Sequence, residues 1–381
     1  MPVDAARALA PRIRQAADQI ERDRRLPAEL VQALAAAGIF RMCLPRTLGG
    51  DEVDPATMIR AIEALAEADG SAGWSAMIGT TSGVVSAYLP EDAAREIYAS
   101  SAEVVTGGVF AAHGRATVVD GGYRVTGRWP FASGCEHCTW LMGGCLLLDG
   151  GAPRLLPGGM PDARMMLFPA AEARILDTWT VSGLRGTGSH DVAVEDVFVP
   201  ASRSVSLLTD RPRHAAPLYA FPVFGLLALG IAAVALGVAR GAIDALTCLA
   251  AAKTPTGSRR LLAERPLVQM QIAEAEALLG AARAFLFDTV AGAWDAARRG
   301  EIGRRERALV RLAATHATAN AARAVDLMYH AGGGSVVYAT SPLQRQFRDM
   351  HVVTQHMMVA PPTYELVGRV LLGVDADTSM L

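Results

Sequence analysis

The stretch Gly127–Trp140 reads GRWPFASGCEHCTW, and the interpretation of the whole chain is organised around it. Its aromatic residues Trp129, Phe131 and Trp140 frame a Ser-Gly turn at Ser133. Alternating aromatic residues that end in such a turn are typical of a β-strand whose rings fill a sheet core. They also suit a flat cofactor, because rings can enclose it while the serine hydroxyl makes one hydrogen bond. The stretch alone leaves both interpretations open.

The composition favours an ordered protein with extensive buried surface. The chain has 381 residues, of which 51% are hydrophobic and 19% are charged, and its net charge is −2. This length allows two or three domains, and the low charge argues against disorder. Acidic and basic residues are interspersed, so the chain lacks the basic stripe that binds nucleic acid. We therefore expect no nucleic-acid partner.

Cysteine usage and the first residues indicate a reducing, cytoplasmic location. The five cysteines are scattered, and the opening MPVDAARALAPRIRQ is polar and amphipathic, unlike a signal peptide. Residues 218–239 are apolar over the length that a bilayer needs. This segment contains Pro222 and three glycines and lacks flanking basic anchors. We expect a core helix that neighbours cover on all sides, and no membrane partner.

Helical periodicity dominates the first hundred residues. Apolar residues recur at three- and four-residue intervals in the run 6–25, and Pro11 predicts that the regular helix begins only at that point. Pro27 is expected to open a second helix, and residues 55–68 form a third. The pattern predicts an N-terminal helical domain over residues 1–101.

The pattern changes near residue 102. The segments VVTGGVF, ATVVDGGYRVTGRW and CTWLMGGCLLL alternate or are rich in β-branched residues, and Asp120-Gly121-Gly122 has the composition of a hairpin turn. They predict a central antiparallel β-barrel or sandwich over residues 102–210. A C-terminal four-helix bundle is predicted over residues 211–381 from long helical segments at 221–252, 266–299, 304–331 and 342–371. The fold class is mainly α with a β domain.

Two local motifs suggest a ligand, but their context does not support one. Cys135, His137 and Cys138 resemble a zinc or redox motif, yet no second cysteine pair stands at structural-zinc spacing, so we expect no metal. Gly183–Gly188 reads GLRGTG, which lacks the spacing of a dinucleotide fingerprint and lies between predicted strands. We expect a tight turn there.

The order of helical, β and helical parts resembles the acyl-CoA dehydrogenase superfamily. Four stretches carry the likeness: GRWPFASG, DTWTVSGLRGTGSHDVAVEDVFVP, HAGGGSVVY and PLQRQFRDMHVVTQH. The resemblance implies a flavin, FMN or FAD, between the β domain and the bundle. It implies that Phe131 contacts the flavin ring, that Ser133 donates a hydrogen bond near the reactive N5 edge, and that Ser189 lies near the flavin tail.

The resemblance also implies contacts from a second subunit. Gly333 and Gly334 are similar to a family segment that reaches the cofactor of a neighbouring subunit, which implies a homotetramer built as a dimer of dimers. Arg260 is similar to an arginine that meets the flavin phosphate, although an aromatic-Gly pair expected before Pro266 is absent here. Two further residues, Trp74 and His113, are expected in the substrate pocket.

The last predicted helix distinguishes between two reactions of the superfamily. A dehydrogenase needs a carboxylate base after the Arg-Asp pair, but Arg348-Asp349 is followed by no carboxylate before Glu365. His356 stands at the expected depth, as in the flavin-dependent monooxygenase branch. An imidazole that titrates near neutrality can stabilise the peroxide that reduced flavin forms with oxygen, or donate to it. A structural role for a buried His356 is the alternative.

Three hypotheses follow. The first is the oxygenase component of a two-component flavin-dependent monooxygenase, which uses reduced flavin and O2 to hydroxylate an aromatic or polycyclic small molecule. His356 and Ser133 would be its catalytic residues, and a separate NAD(P)H:flavin reductase is implied because the chain has no dinucleotide fingerprint. The second is an acyl-CoA dehydrogenase whose base is displaced to Glu365. The third is a superfamily scaffold that has lost catalysis.

Overall fold

The computed structural model describes residues 1–381, with helices at both ends of the chain and a β-sheet between them. Helix α1 begins at Pro2, so the prediction that it starts at Pro11 was wrong. Its buried residues continue on both sides of Pro11 and pack against α3, and this packing outweighs the loss of one N–H donor. The N-terminal helices are α1 Pro2–Asp23, α2 Ala28–Ala36, α3 Pro55–Ala68, α4 Gly70–Ser82 and α5 Glu91–Tyr98.

Helix α4 runs through the interior and carries Trp74 there. The carboxylate of Asp69 caps it by accepting from the backbone N–H of Ala72 at 2.9 Å. Glycine lets α4 approach α3 closely, because a β-carbon at Gly73 would lie 2.4 Å from the β-carbon of Ala66. The indole of Trp74 is therefore buried among other elements.

The central sheet has eight strands in the order β6-β7-β2-β1-β3-β5-β8, with β4 paired to β3. The prediction of a wholly antiparallel sheet was wrong for one pair, because β1 and β3 run parallel. The chain leaves β2 and crosses to the far side of β1 through residues 130–139, so β3, which runs opposite to β2, lies parallel to β1. The strands are β1 Thr106–Val119, β2 Gly122–Trp129, β3 Trp140–Asp149, β4 Ala152–Pro153, β5 Ala163–Pro169, β6 Arg174–Leu176, β7 Asp191–Pro200 and β8 Ser204–Val205.

The aromatic residues of the stretch Gly127–Trp140 have different environments. Trp129 fills the sheet core and donates from Nε1 to the carbonyl of Gly144 at 2.7 Å. Phe131, two residues later, lies outside the core with its side chain exposed. The two interpretations of the stretch thus apply to different residues: Trp129 has the strand-core role, and Phe131 is left free for a ligand.

The fourth predicted helix of the bundle, residues 342–371, is two helices. Helix α10 ends at Val353 and α11 begins at Pro362, because Pro361 and Pro362 supply no backbone N–H to a continuous helix. A 3-10 turn, Met357–Val359, lies between them. The C-terminal helices are α6 Pro217–Ala220, α7 Val223–Ala252, α8 Pro266–Arg299, α9 Arg304–Gly332, α10 Pro342–Val353 and α11 Pro362–Leu371.

Helices α7 and α8 are both long and apolar enough to cross a membrane by length and composition. The most apolar window of α7 is 89% buried inside the protein, where α3, α4, α9 and α10 pack around it. This confirms the prediction of a core helix. The corresponding window of α8 is only 28% buried, and the helix exposes Leu267 and Met270.

Candidate active site

Three of the predicted site residues meet between α4, the crossover 130–139 and the break between α10 and α11. The indole Nε1 of Trp74 donates to Ser133 Oγ at 3.0 Å. On its other side, the Trp74 ring lies 5.8 Å from the His356 ring between centroids, at an interplanar angle of 57°. Trp74 therefore links the two residues that the sequence proposed as catalytic.

A chain of hydroxyl groups, here called the hydroxyl relay, continues from Ser133 into the protein. Ser133 Oγ lies 2.7 Å from Ser189 Oγ, which lies 2.6 Å from Thr187 Oγ1. Thr187 Oγ1 in turn donates to the carbonyl of Leu184 at 2.8 Å. The three hydroxyl side chains and Trp74 are all buried.

The direction of the hydroxyl relay follows from counting donors. A carbonyl only accepts, so Thr187 uses its single proton on Leu184 and must accept from Ser189. Ser189 must then accept from Ser133, while the indole of Trp74 can only donate. The Ser133 proton is thus already used, and one lone pair of its Oγ remains. The bonds within the protein therefore leave Ser133 with only an acceptor site, whereas the resemblance implied a donor.

Asp349 joins the hydroxyl relay to α10. Its Oδ1 accepts from the backbone N–H of Leu184 at 2.6 Å, and the Leu184 carbonyl also accepts from Trp179 Nε1 at 3.0 Å. Burial, followed by the nearby negative charge of Asp69, raises the pKa of Asp349 to about 8. Burial therefore favours the protonated, uncharged form of Asp349. From the sequence, Asp349 was recognised only as part of the Arg348-Asp349 pair that marks where a dehydrogenase base is expected.

Phe131 presents an aromatic face beside Ser133. Its side chain is 68% exposed, and its φ of 63° is a left-handed conformation that costs a non-glycine residue roughly 1–2 kcal/mol. Two backbone bonds maintain this turn: Ala132 N–H to the His190 carbonyl at 3.0 Å, and Gly134 N–H to the Thr187 carbonyl at 2.8 Å. The turn therefore holds the ring outside the core.

His356 precedes the 3-10 turn rather than lying on α10, where the sequence placed it. Its Nδ1 accepts from the backbone N–H of Met358 at 3.2 Å, so the proton of the neutral ring is on Nε2. Burial, and then the positive charge of Arg311, lower the pKa of His356 to about 4. At neutral pH the ring is uncharged, and Nε2–H is a free donor.

Ser189 and His113, two further predicted residues, have different environments. Ser189 is buried behind Ser133 as a member of the hydroxyl relay. His113 is exposed in a groove of about 680 Å3 on the sheet, together with Arg115 and Arg174, and the structure does not bring it to the Trp74 cluster.

Arg260 and the glycines after α9 lie together at one end of the bundle. Lys253, at the start of the loop that carries Arg260, donates from Nζ to the carbonyl of Gly332 at 2.8 Å. Arg260, Gly333 and Gly334 are all exposed. Within one chain these residues form no hydrogen bond with Ser133, Trp74 or His356.

The Cys135, His137 and Cys138 motif lies in the crossover but has no metal-site geometry. Burial raises the pKa of both thiols and lowers the pKa of His137 to about 4, so the thiols stay protonated. No group of three or more His, Cys, Asp or Glu side chains is arranged to hold a metal ion.

The donor set suits a flat ring system with polar edges. Phe131 offers an aromatic face, Ser133 an acceptor and His356 a donor, and Trp74 closes the space between the two polar groups. An isoalloxazine ring is planar, with aromatic faces and an edge that carries both N–H and acceptor groups, so these residues fit a flavin. Fold and site together define the class of acyl-CoA dehydrogenase-like flavoproteins.

Comparison with known proteins identifies the family. Residues 2–98 match the family model for the acyl-CoA dehydrogenase N-terminal domain, and residues 229–361 match that for the C-terminal domain. The chain is 36% identical to indole-3-acetate monooxygenase of Pseudomonas putida, over 93% of this chain and 89% of the relative. It is 32% identical to the flavin-dependent monooxygenase oxygenase subunit HsaA of Rhodococcus jostii RHA1, over 98% and 99% of the two chains.

A solved structure supports the same assignment. XiaF from Streptomyces sp., in complex with FADH2 and glycerol, superimposes with a TM-score of 0.91 at 26% identity, covering 99% of this chain and 96% of XiaF. The chain belongs to the flavin-dependent monooxygenases of the acyl-CoA dehydrogenase superfamily. The predicted fold class and the preference for a monooxygenase over a dehydrogenase are confirmed.

Proposed function

We propose that the protein is the oxygenase component of a two-component system that hydroxylates an aromatic small molecule with reduced flavin and O2. The observation that carries this is the meeting of His356, Trp74 and Ser133 beside the exposed Phe131 ring. Reduced flavin, when bound, supplies two electrons to O2, so that one oxygen atom enters the substrate and the other leaves as water. The names of the relatives support an aromatic substrate and a reduced flavin such as FADH2.

Each residue has a role that follows from its geometry. Ser133 offers only a lone pair, and reduced flavin has an N5–H to donate, whereas oxidised flavin has a lone pair at N5. Phe131 packs against the ring, and Trp74 excludes water between the two polar groups. His356, neutral with its proton on Nε2, donates a hydrogen bond to the reacting oxygen.

The proposed partners are a separate flavin reductase and further copies of the chain in a cytoplasmic homotetramer. The name of HsaA, an oxygenase subunit, supports a reductase that acts as a separate protein. The sparsely buried face of α8, with Leu267 and Met270 exposed, is suited to cover by a second copy. Such a copy would bring Arg260 and the glycines Gly333 and Gly334 to the flavin of its neighbour.

The dehydrogenase alternative would require Glu365 as its base. The side chain of Glu365 is 75% exposed on α11, and its carboxylate lies 3.9 Å from the guanidinium of Arg369. A base at this exposed position would lack the dry environment that α-proton removal needs. The scaffold alternative does not explain why the buried hydroxyl relay is fully hydrogen-bonded or why Phe131 keeps a strained backbone conformation.

The test supplies chemically reduced FMN or FAD, 18O2 and a panel of indoles and phenols to the purified protein. Incorporation of one 18O atom into the product is expected. His356→Ala should lower product formation at least about tenfold and raise the release of hydrogen peroxide. The matched control is His351→Ala, which removes a histidine of α10 that is paired with Asp326 at 2.9 Å.

Other outcomes support the alternatives. If no 18O product forms and an acyl-CoA reduces the bound oxidised flavin, the protein is a dehydrogenase. If neither redox state of the flavin binds, it is a scaffold.

A further inference from the structure

A buried arginine, Arg311 of α9, lies behind the histidine and is not explained by packing alone. It is only 5% exposed, no acidic side chain forms an ion pair with it, and its Nε has no hydrogen-bond partner. Burying a guanidinium without a carboxylate is costly, so a chain that retains one gains something else from it. The neighbours of Arg311 show what that is.

The partners of Arg311 are two backbone carbonyls. Its Nη2 donates to the carbonyl of Met358 at 3.1 Å, and its Nη1 donates to the carbonyl of Met380. The side chain of Leu381 is buried in a small cluster with Ala308 and Val367. Arg311 therefore ties the segment at 380–381 to the turn that follows His356.

The turn transmits this bond to the imidazole. The carbonyl of Met358 accepts a hydrogen bond from Arg311, and the N–H of Met358 donates one to Nδ1 of His356. If Met358 shifts, the imidazole loses the donor that places its proton on Nε2. The positive charge of Arg311 also opposes protonation of the ring, after the larger effect of burial.

We propose that Arg311 is a positioning residue that holds the Met358 peptide against His356 and thereby keeps the imidazole proton on Nε2, where it is a free donor. This inference rests on the proposed role of His356 in hydroxylation. Arg311 acts through His356 and Met358, so it contacts neither substrate nor flavin. The segment at 380–381 is part of the same arrangement, because the Met380 carbonyl accepts from the other amino group of the guanidinium, Nη1.

The test compares Arg311→Met, which removes both the charge and the donors, with Arg311→Lys, which keeps the charge but cannot reach both carbonyls. The matched control is Arg369→Met, which removes an exposed arginine that donates to the backbone carbonyl of Asp375 at 2.9 Å. Two quantities are measured on the protein without flavin. They are the pKa of His356, from hydrogen exchange at its C2 position, and backbone amide exchange in the peptide 353–360, both by mass spectrometry.

The expected pKa of His356 is about 4 in the wild type and in Arg369→Met, and higher by about one unit in Arg311→Met. Amide exchange in the peptide 353–360 should accelerate at least about tenfold in both Arg311 variants and stay unchanged in Arg369→Met. Arg311→Lys keeps the experiment decisive if Arg311→Met does not fold.

Wild-type amide exchange in Arg311→Lys would overturn the inference, as would an unchanged pKa of His356 in a folded Arg311→Met. Both readouts are independent of catalysis, so they separate the two proposals. If His356→Ala loses product formation but the Arg311 variants keep the wild-type pKa of His356 and the wild-type amide exchange, the positioning role alone is wrong. If the Arg311 variants show the expected pKa rise and faster amide exchange, but the wild type forms no 18O product from any aromatic compound, the proposed hydroxylation alone is wrong.

Discussion

Replacing Thr187 with valine should make the site less selective for reduced flavin. Thr187 accepts from Ser189 and donates to the carbonyl of Leu184, and this directs the proton of Ser133 away from the ligand. Valine has nearly the same shape but cannot accept a hydrogen bond. Ser189 is then free to donate to Ser133, which releases the Ser133 proton to donate to N5 of oxidised flavin.

The expected change in selectivity corresponds to one hydrogen bond, the one that Ser133 becomes free to donate to the ligand. The Leu184 carbonyl keeps Trp179 Nε1 as a donor at 3.0 Å, so the loss of Thr187 leaves no buried carbonyl unpaired. One net hydrogen bond contributes about 0.5–1.5 kcal/mol, which corresponds to a change of about 2-fold to 13-fold in a binding constant. The ratio of the Kd for oxidised flavin to the Kd for reduced flavin should fall by that factor, mainly through tighter binding of oxidised flavin.

The assay is equilibrium binding of oxidised flavin by calorimetry and of reduced flavin by anaerobic titration. Ser189→Ala should act in the same direction, since it removes the acceptor of the Ser133 proton. Thr318→Val is the matched control, because Thr318 is a buried threonine of α9 that donates to the carbonyl of Ala314 at 3.0 Å, outside the hydroxyl relay. Equal ratios in the wild type, Thr187→Val and Ser189→Ala would refute the argument from relay direction.

Three further predictions concern stability. Folding lowers the pKa of His356 and of His137 from 6.5 to about 4, so the unfolded chain binds more protons than the folded chain between these two pH values. The midpoint of urea unfolding should therefore fall as the pH drops from about 6.5 to about 4. The fall should be less steep in His356→Asn. Folding raises the pKa of Asp349 from 3.8 to about 8, so the wild type loses stability as the pH rises between these values. Asp349→Asn, which still accepts from the Leu184 N–H, should therefore gain stability relative to the wild type by at most about 1.4 kcal/mol for each unit of pH rise between pH 4 and 8. A difference in unfolding free energy that stays constant with pH in urea titrations would contradict this. Phe131→Gly should relieve the left-handed strain and raise the Tm of the flavin-free protein while weakening flavin binding by calorimetry; a lower Tm would contradict this.

The periodicity of the chain was sufficient for the helices whose burial pattern is local. The prediction of α3 at residues 55–68 was confirmed at both ends. Asp54 and Pro55 begin the helix, and Asp69, which caps the next helix, ends it, so each signal is adjacent in sequence. The prediction at Pro11 failed because the decision there was not local: the face of α1 that packs on α3 continues through the proline. The parallel β1–β3 pair was missed for the same reason, since the strand beside which β3 lies depends on where the crossover leads.

The residues of the candidate site divide in the same way. Trp74, Ser133 and His356 were named from motifs, and the structure brings the three together. Thr187 and Arg311 carried no signal, because a threonine in a turn and an arginine in a helix are ordinary residues until their partners are known. Thr187 acts on Ser133 through Ser189, which lies 56 residues from Ser133 in sequence, and Arg311 bonds to Met358, which lies 47 residues away.

The sequence by itself determined the order of helical, β and helical parts, the presence of an aromatic and hydroxyl stretch at Gly127–Trp140, and a histidine in place of a carboxylate at residue 356. Only the tertiary structure decided which way the protons point. Residue type specifies what a group can donate or accept, but the direction of a hydroxyl chain depends on which end meets an acceptor that cannot donate. In this protein that acceptor is the Leu184 carbonyl, and it makes Ser133 an acceptor toward the ligand.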